Sequence, residues 1–224
     1  MFDRIAHRYD LLNRLLSFGR DVAWRKRILR HLPEGADLRV LDLATGTADV
    51  LLGLRQGSPR VRGGVGLDPS MGMLRFGHEK IARRGLADSL ALLRGDGADL
   101  PLADARFDVV TISFGIRNYE NVARGLREMH RVLRPGGRLL VLEFSLPPNA
   151  LFRALYLFYF RNILPLLGGL ISGDSHAYRY LNQTVETFPY GEAFCALLRE
   201  AGFDRVTPIP LTLGIATLYL ADRD

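Results

Sequence analysis

The chain has 224 residues, 48% of them apolar and 24% charged, with 23 Gly and 11 Pro; that is enough for one hydrophobic core and unlike a disordered or collagen-like mixture. Its one cysteine, Cys195, cannot close an intrachain disulfide, and no Cys/His cluster has metal-ligand spacing, so neither a disulfide scaffold nor a metal site is expected. Thirty Lys and Arg against 24 Asp and Glu leave +6, and eight basic residues against three Asp fall within residues 1–31, so the positive charge is local.

The N-terminus, Met-Phe-Asp-Arg-Ile-Ala-His-Arg, carries charges throughout and reads as neither signal peptide nor spanning helix, which points to a cytoplasmic protein. Two basic amphipathic stretches, Asp3–Leu16 and Asp21–Leu32, predict helices, the second stopped by Pro33-Glu34-Gly35. Apolar β-branched runs then alternate with helical patterns. Strands are expected at Val40–Leu43, Val61–Leu67, Leu90–Leu93, Phe107–Phe114 and Arg138–Phe144, with helices at Ala48–Arg55, Ser70–Arg84 and Asn121–Leu133. That rhythm predicts βαβ units and a parallel sheet covered on both faces. A last helix at Tyr190–Ala201 and strands at Phe203–Ile209 and Ile215–Ala221 close the chain.

In such a sheet, ligands bind outside the carboxyl ends of the strands, where strand order reverses. The turn after the first strand, Asp42-Leu43-Ala44-Thr45-Gly46-Thr47-Ala48-Asp49, is built of small residues that let backbone N–H groups approach a ligand. Asp68 follows 22 residues after Gly46 at the end of the second strand, where a carboxylate can accept the hydroxyls of a ribose. The turn lacks the glycines a dinucleotide pyrophosphate needs and has no Gly-Lys-Ser/Thr for a triphosphate. S-adenosylmethionine, an adenosine cofactor without phosphate, suits it better. Two further loops end strands on the same side: Gly95-Asp96-Gly97, with an acceptor for the adenine amino group, and Ser113-Phe114-Gly115. An ordinary strand-to-helix turn is the alternative for each taken singly.

Several stretches resemble the S-adenosylmethionine-dependent C-methyltransferases of menaquinone and ubiquinone biosynthesis. Tyr9-Asp10-Leu11-Leu12-Asn13, Ser17-Phe18-Gly19 and Trp24-Arg25 look like one family signature, and Arg131–Arg138 through Leu142-Glu143-Phe144-Ser145 like a second. Ser113–Asn118 and Tyr178-Arg179-Tyr180-Leu181 with Phe188-Pro189 are further hallmarks, so the resemblance covers the whole chain. It implies a class I α/β methyltransferase: one domain, 1–224, with a doubly wound, mostly parallel seven-stranded sheet. N-terminal helices would occupy 1–35 and a helical lid 146–188.

The same resemblance puts cofactor contacts on Thr47, Asp68, Asp96, Gly97 and Ser113, beside Gly46 read from the turn itself, and notes Ala48 where many relatives have Gly. Asp68→Ala is expected to weaken cofactor binding and leave the fold intact. The implied substrate is demethylmenaquinol, with a methoxy-polyprenyl-benzoquinol of the ubiquinone route as the alternative and a non-catalytic adenosine-binding scaffold as a reading of another class. A phenol with an ordinary pKa of about 10 needs a cation or a base to ionise near neutrality. Arg117 is the candidate cation, with Asn118 orienting the hydroxyl; a structural ion pair is the other reading of Arg117. Asp10 and His176 are candidate bases. Expected partners are a prenylated quinol, a transient membrane surface and, as an option, a second copy in a homodimer; nucleic acid is not expected, since Ser113-Phe114-Gly115-Ile116 stands where an Asn/Asp-Pro-Pro-Tyr/Phe loop would be.

One stretch stands apart: Leu151–Ile171 has 15 apolar residues of 21, broken by Arg153, Arg161, Asn162, Pro165 and Gly168-Gly169, which argues against a bilayer span. It reads as a buried helix, or as a lid or interfacial helix with Phe152, Leu155, Phe158 and Tyr159 on one face.

Overall fold

The computed structural model describes residues 19–163 and 182–224. The expected helix at Asp3–Leu16, the candidate bases Asp10 and His176, and the Tyr178–Leu181 hallmark lie outside them. Helix α1 (Arg20–Leu29) leads into β1 (Leu38–Leu43), α2 (Asp49–Gly57), β2 (Val61–Asp68), α3 (Met71–Arg83) and β3 (Leu90–Arg94). Then come β4 (Phe107–Ser113), a one-turn 3-10 helix (Ile116–Asn118), α4 (Val122–Val132), β5 (Leu133–Phe144), α5 (Ala150–Phe158), a π turn (Tyr159–Ile163), α6 (Glu192–Glu200), β6 (Arg205–Leu211) and β7 (Ala216–Asp222).

The strands form one seven-stranded sheet in the order β3-β2-β1-β4-β5-β7-β6, parallel except for β7, which runs antiparallel to both β5 and β6. The order reverses between β1 and β4, so the crevice above those two strand ends is the expected ligand position. Period-two alternation sorts the core into two layers. Leu41, Leu43, Val110, Ile112, Leu139 and Val141 face Leu126 and Met129 of α4 and Phe194 and Leu198 of α6. Their neighbours Val40, Val109, Leu140 and Leu142 face Trp24 and Ile28 of α1, Leu51 and Leu54 of α2, and Leu74 and Ile81 of α3. Both faces of the sheet are therefore sealed, and the doubly wound expectation holds.

Helix starts follow side-chain chemistry. Ser70 Oγ accepts from Met73 N–H at 3.2 Å, and the Asn121 and Asn149 side chains accept from Arg124 and Phe152 N–H, each satisfying an N-terminal donor that the helix itself leaves open. β6 carries Pro208 and Pro210, which an edge strand tolerates because one of its sides has no ladder to donate to.

Candidate functional site

The turn after β1 has a strained backbone and a heavily bonded carboxylate beneath it. Ala44 and Ala48 take positive φ of 48° and 65°, a left-handed conformation unfavourable to any residue with a Cβ; the backbone at Ala48 is thus one that glycine adopts freely. Gly46 has φ 56°, with nothing within 4 Å of where its Cβ would stand. Asp68, at the end of β2, reaches across to this turn: its Oδ2 accepts from Gly46 N–H at 2.9 Å and its Oδ1 from Ser70 N–H at 2.9 Å. The two residues that spacing paired are in direct contact. Asp68 also holds the turn in shape, so Asp68→Ala strips two backbone donors of their acceptor and carries a stability cost beside any loss of cofactor binding.

A carboxylate oxygen can accept more than one hydrogen bond, so Asp68 has the chemistry to take a ribose hydroxyl. Together with the open approach at Gly46, this donor and acceptor set fits S-adenosylmethionine. Thr47 is buried, and its hydroxyl accepts from Lys80 Nζ at 2.8 Å. Lys80 also pairs with Asp49 at 2.7 Å, and Arg25 of α1 with the other Asp49 oxygen at 3.0 Å, so three helices brace the turn.

Sequence reasoning passed over Asp42. It is 1% exposed, and its two oxygens accept from the hydroxyls of Thr45 and Thr111, each at 2.6 Å. Burial outweighs those bonds and pushes its carboxyl up to about 6. The signal was available only as an acid at a strand end; Thr111 is its cross-strand neighbour on β4, 69 residues away.

Asp96 and Gly97 follow β3, where Asp96 Oδ1 accepts from Ala98 N–H at 2.9 Å. Tyr119 covers this loop: a Cβ on Gly97 would stand 1.7 Å from the phenol oxygen. Burial raises the Tyr119 phenol well above its ordinary range, and the nearby carboxylates of Asp96 and Asp68 add to the rise. Tyr119 therefore joins the β2 and β3 loops into one environment, which no linear spacing announced.

Ser113 ends β4, and its hydroxyl oxygen is buried without a hydrogen-bond partner. Phe114 follows with φ 56°, a strained conformation for so large a residue, and its ring lies tilted against Phe144 at 4.5 Å, with Trp24 at 6.0 Å. Arg117, in the 3-10 turn with Asn118, is largely buried; its Nη1 donates to Glu143 Oε1 at 2.7 Å and to Phe114 O at 2.7 Å. Of the two readings of Arg117, the structure contains the ion pair. Its Nε is the buried donor of Arg117 left without a partner.

The lid helix also differs in part. Leu151, Leu155 and Phe158 are 73%, 60% and 61% exposed, while Phe152 and Tyr159 turn inward. Phe152 lines an apolar cavity of about 740 Å³ with Leu146, Pro148, Tyr190 and Leu213. Among the described residues no helix is long and apolar enough to cross a membrane.

Comparison with known proteins identifies the family and the fold. The model of the ubiE/COQ5 methyltransferase family matches residues 1–223. A demethylmenaquinone methyltransferase of Thermus thermophilus is 48% identical over 223 residues, covering 100% of both chains. A ubiquinone/menaquinone biosynthesis C-methyltransferase, UbiE, of Syntrophotalea carbinolica is 49% identical over 223 residues, covering all of this chain and 92% of its own. Among solved structures, an S-adenosylmethionine-dependent methyltransferase from Thermotoga maritima superposes with a TM-score of 0.70 at 18% identity, covering 100% of this chain and 98% of its own; at that identity the likeness speaks for the fold.

Proposed function

Since this chain belongs to the ubiE/COQ5 methyltransferase family, we propose that it is the S-adenosylmethionine-dependent C-methyltransferase that converts demethylmenaquinol to menaquinol. The observation that carries the reading is the end-to-end match, at 48% identity, to a protein of that name. The strand-end loops support it. Gly46, Thr47, Asp68, Asp96, Gly97 and Ser113 hold the cofactor in this reading, with Asp68 on the ribose hydroxyls and Asp96 on the adenine. When bound, S-adenosylmethionine supplies an electrophilic methyl group, which the quinol ring carbon takes as the carbon–sulfur bond breaks and its electron pair stays on sulfur.

The chain's own task is to orient the ring and raise the electron density of the carbon beside its hydroxyl. Arg117 serves this through the charge it places next to Glu143, and Asn118 orients the same hydroxyl. The prenyl tail is apolar, and the exposed row Leu151, Leu155 and Phe158 supports reversible contact with a membrane surface. The local positive charge of the N-terminal region would add attraction to anionic headgroups.

The test is methyl transfer from labelled S-adenosylmethionine to demethylmenaquinol or to a methoxy-polyprenyl-benzoquinol by the purified protein. Label in menaquinol is the expected result. Label in the benzoquinol alone would replace the substrate, and cofactor binding without transfer to either would favour the scaffold.

A further inference from the structure

Among the described residues, the side-chain atoms buried without a hydrogen-bond partner include Arg25 Nε, Arg55 Nε and Asn182 Oδ1 elsewhere in the fold, and four at or just after the C-terminal ends of β4 and β5 or on α5: Ser113 Oγ, Arg117 Nε, Glu143 Oε2 and Tyr156 Oη. Glu143 is 1% exposed, and its Oε1 is fully engaged, accepting from Arg117 Nη1 at 2.7 Å and from its neighbour's Phe144 N–H at 2.9 Å. Its other oxygen has no donor. Tyr156 comes down from α5, stacked on Phe160 at 5.2 Å, and lies close enough to the Arg117 guanidinium for that charge to act on its phenol. Arg117 itself sits over the Phe144 ring, 5.4 Å from its centre. An orphaned carboxylate oxygen, N–H and hydroxyl enclosed together are costly unless something satisfies them.

Resting on the reading above that the substrate is a quinol, we propose that this cluster is the recognition site for the ring hydroxyl, and that Glu143 is the base that takes its proton. The hydroxyl donates to Glu143 Oε2 and accepts from Arg117 Nε and Tyr156 Oη. The O–H bond breaks, its proton goes to Glu143 Oε2 and its electron pair stays on oxygen, as the neighbouring ring carbon takes the methyl group. The ring-carbon proton is then lost to solvent, aromaticity returns, and Glu143 hands its proton back to the oxygen. One proton is released per methyl transferred. Charge favours this arrangement: Arg117 exchanges one anionic partner for another, so no net charge is created in a buried place, which a free phenolate would require. Because the cluster is enclosed, α5 has to lift for a ring to enter. The residues of α5 are exposed or half-buried, and the stacking of Tyr156 on Phe160 is the packing that movement breaks.

Glu143→Gln keeps the shape and removes the base. Turnover should fall by about 10²- to 10⁴-fold, with S-adenosylmethionine affinity unchanged. A ring-fluorinated quinol already ionised at the assay pH should recover most of that loss, which a merely structural role would not allow. Binding gives a second readout: the absorption band of bound 4-methoxy-1-naphthol should shift to the red in the wild type and not in Glu143→Gln. Tyr156→Phe leaves the ion pair intact and should raise KM while weakening the same shift. A folded Glu143→Gln protein with wild-type turnover, or with equal losses on both quinols, overturns the proposal. If that variant does not fold, identical naphthol spectra in wild type and Tyr156→Phe overturn it. A wild type that methylates no quinol sinks the proposed function instead, and the naphthol spectra still decide the hydroxyl site.

Discussion

Replacing Asp42 by Asn should change how stability depends on pH. The carboxyl is 1% exposed, and burial raises it from 3.8 to about 6 despite two hydroxyl donors. The native state therefore binds the proton more tightly than the unfolded chain. Stability contributed by the group is fully present below about pH 4 and is lost as pH rises through about 6. Two units at about 1.4 kcal/mol each make the loss about 3 kcal/mol. Asn is nearly isosteric and can still bond both threonine hydroxyls, through its carbonyl oxygen as acceptor and its amide as donor, but it does not ionise. Urea unfolding of both proteins from pH 4 to 8 measures the effect. The difference reports residue 42 together with its coupling to Asp68 and Arg25: Asp42→Asn should gain about 2 to 3 kcal/mol on the wild type between pH 4 and pH 7. Parallel stability curves across that range would mean that residue 42 is solvated as an ordinary carboxylate, and the argument from burial would fail.

Asp68→Ala should weaken S-adenosylmethionine binding by about 1.5 to 3 kcal/mol and also lower the melting temperature, because Gly46 and Ser70 lose their acceptor; titration calorimetry beside a thermal melt separates the two, and an unchanged dissociation constant would remove Asp68 from the site. Gly97→Ala should impair cofactor binding by driving a methyl group into the Tyr119 phenol, and adding Tyr119→Val should restore it; failure of that rescue in a folded double variant would detach Tyr119 from the loop. Co-sedimentation with anionic vesicles should fall with salt and fall further in Phe158→Asp, whose side chain is 61% exposed, without change in cofactor affinity. No binding to any vesicle at low salt would end the membrane reading.

Among the described residues from 38 onward, the sequence alone was sufficient for the order of strands and helices, because a strand's two-residue alternation and a helix's 3.6-residue stripe are local properties. The Gly46–Asp68 pair was legible for a related reason: one βαβ unit fixes the distance in sequence between a first turn and the next strand end. The segment 151–163 marks a limit of that logic. The sequence put Phe152, Leu155, Phe158 and Tyr159 on one face, but apolar residues lie all round this helix, and the structure turns Tyr156 and Phe160 inward and leaves Leu151, Leu155 and Phe158 outside.

What only tertiary structure decided are the contacts between strand ends far apart in the chain. Asp42 meets Thr111 across 69 residues, Thr47 meets Lys80 across 33, and Arg117 meets Glu143 across 26. Each depends on which strands lie side by side and in what register, and parallel pairing leaves that to the packing of whole crossover units. A charged residue such as Arg117 reads the same in sequence whether it faces a ligand or a buried carboxylate. Its partner on the neighbouring strand settles which, because a charge removed from water must be neutralised where it is buried.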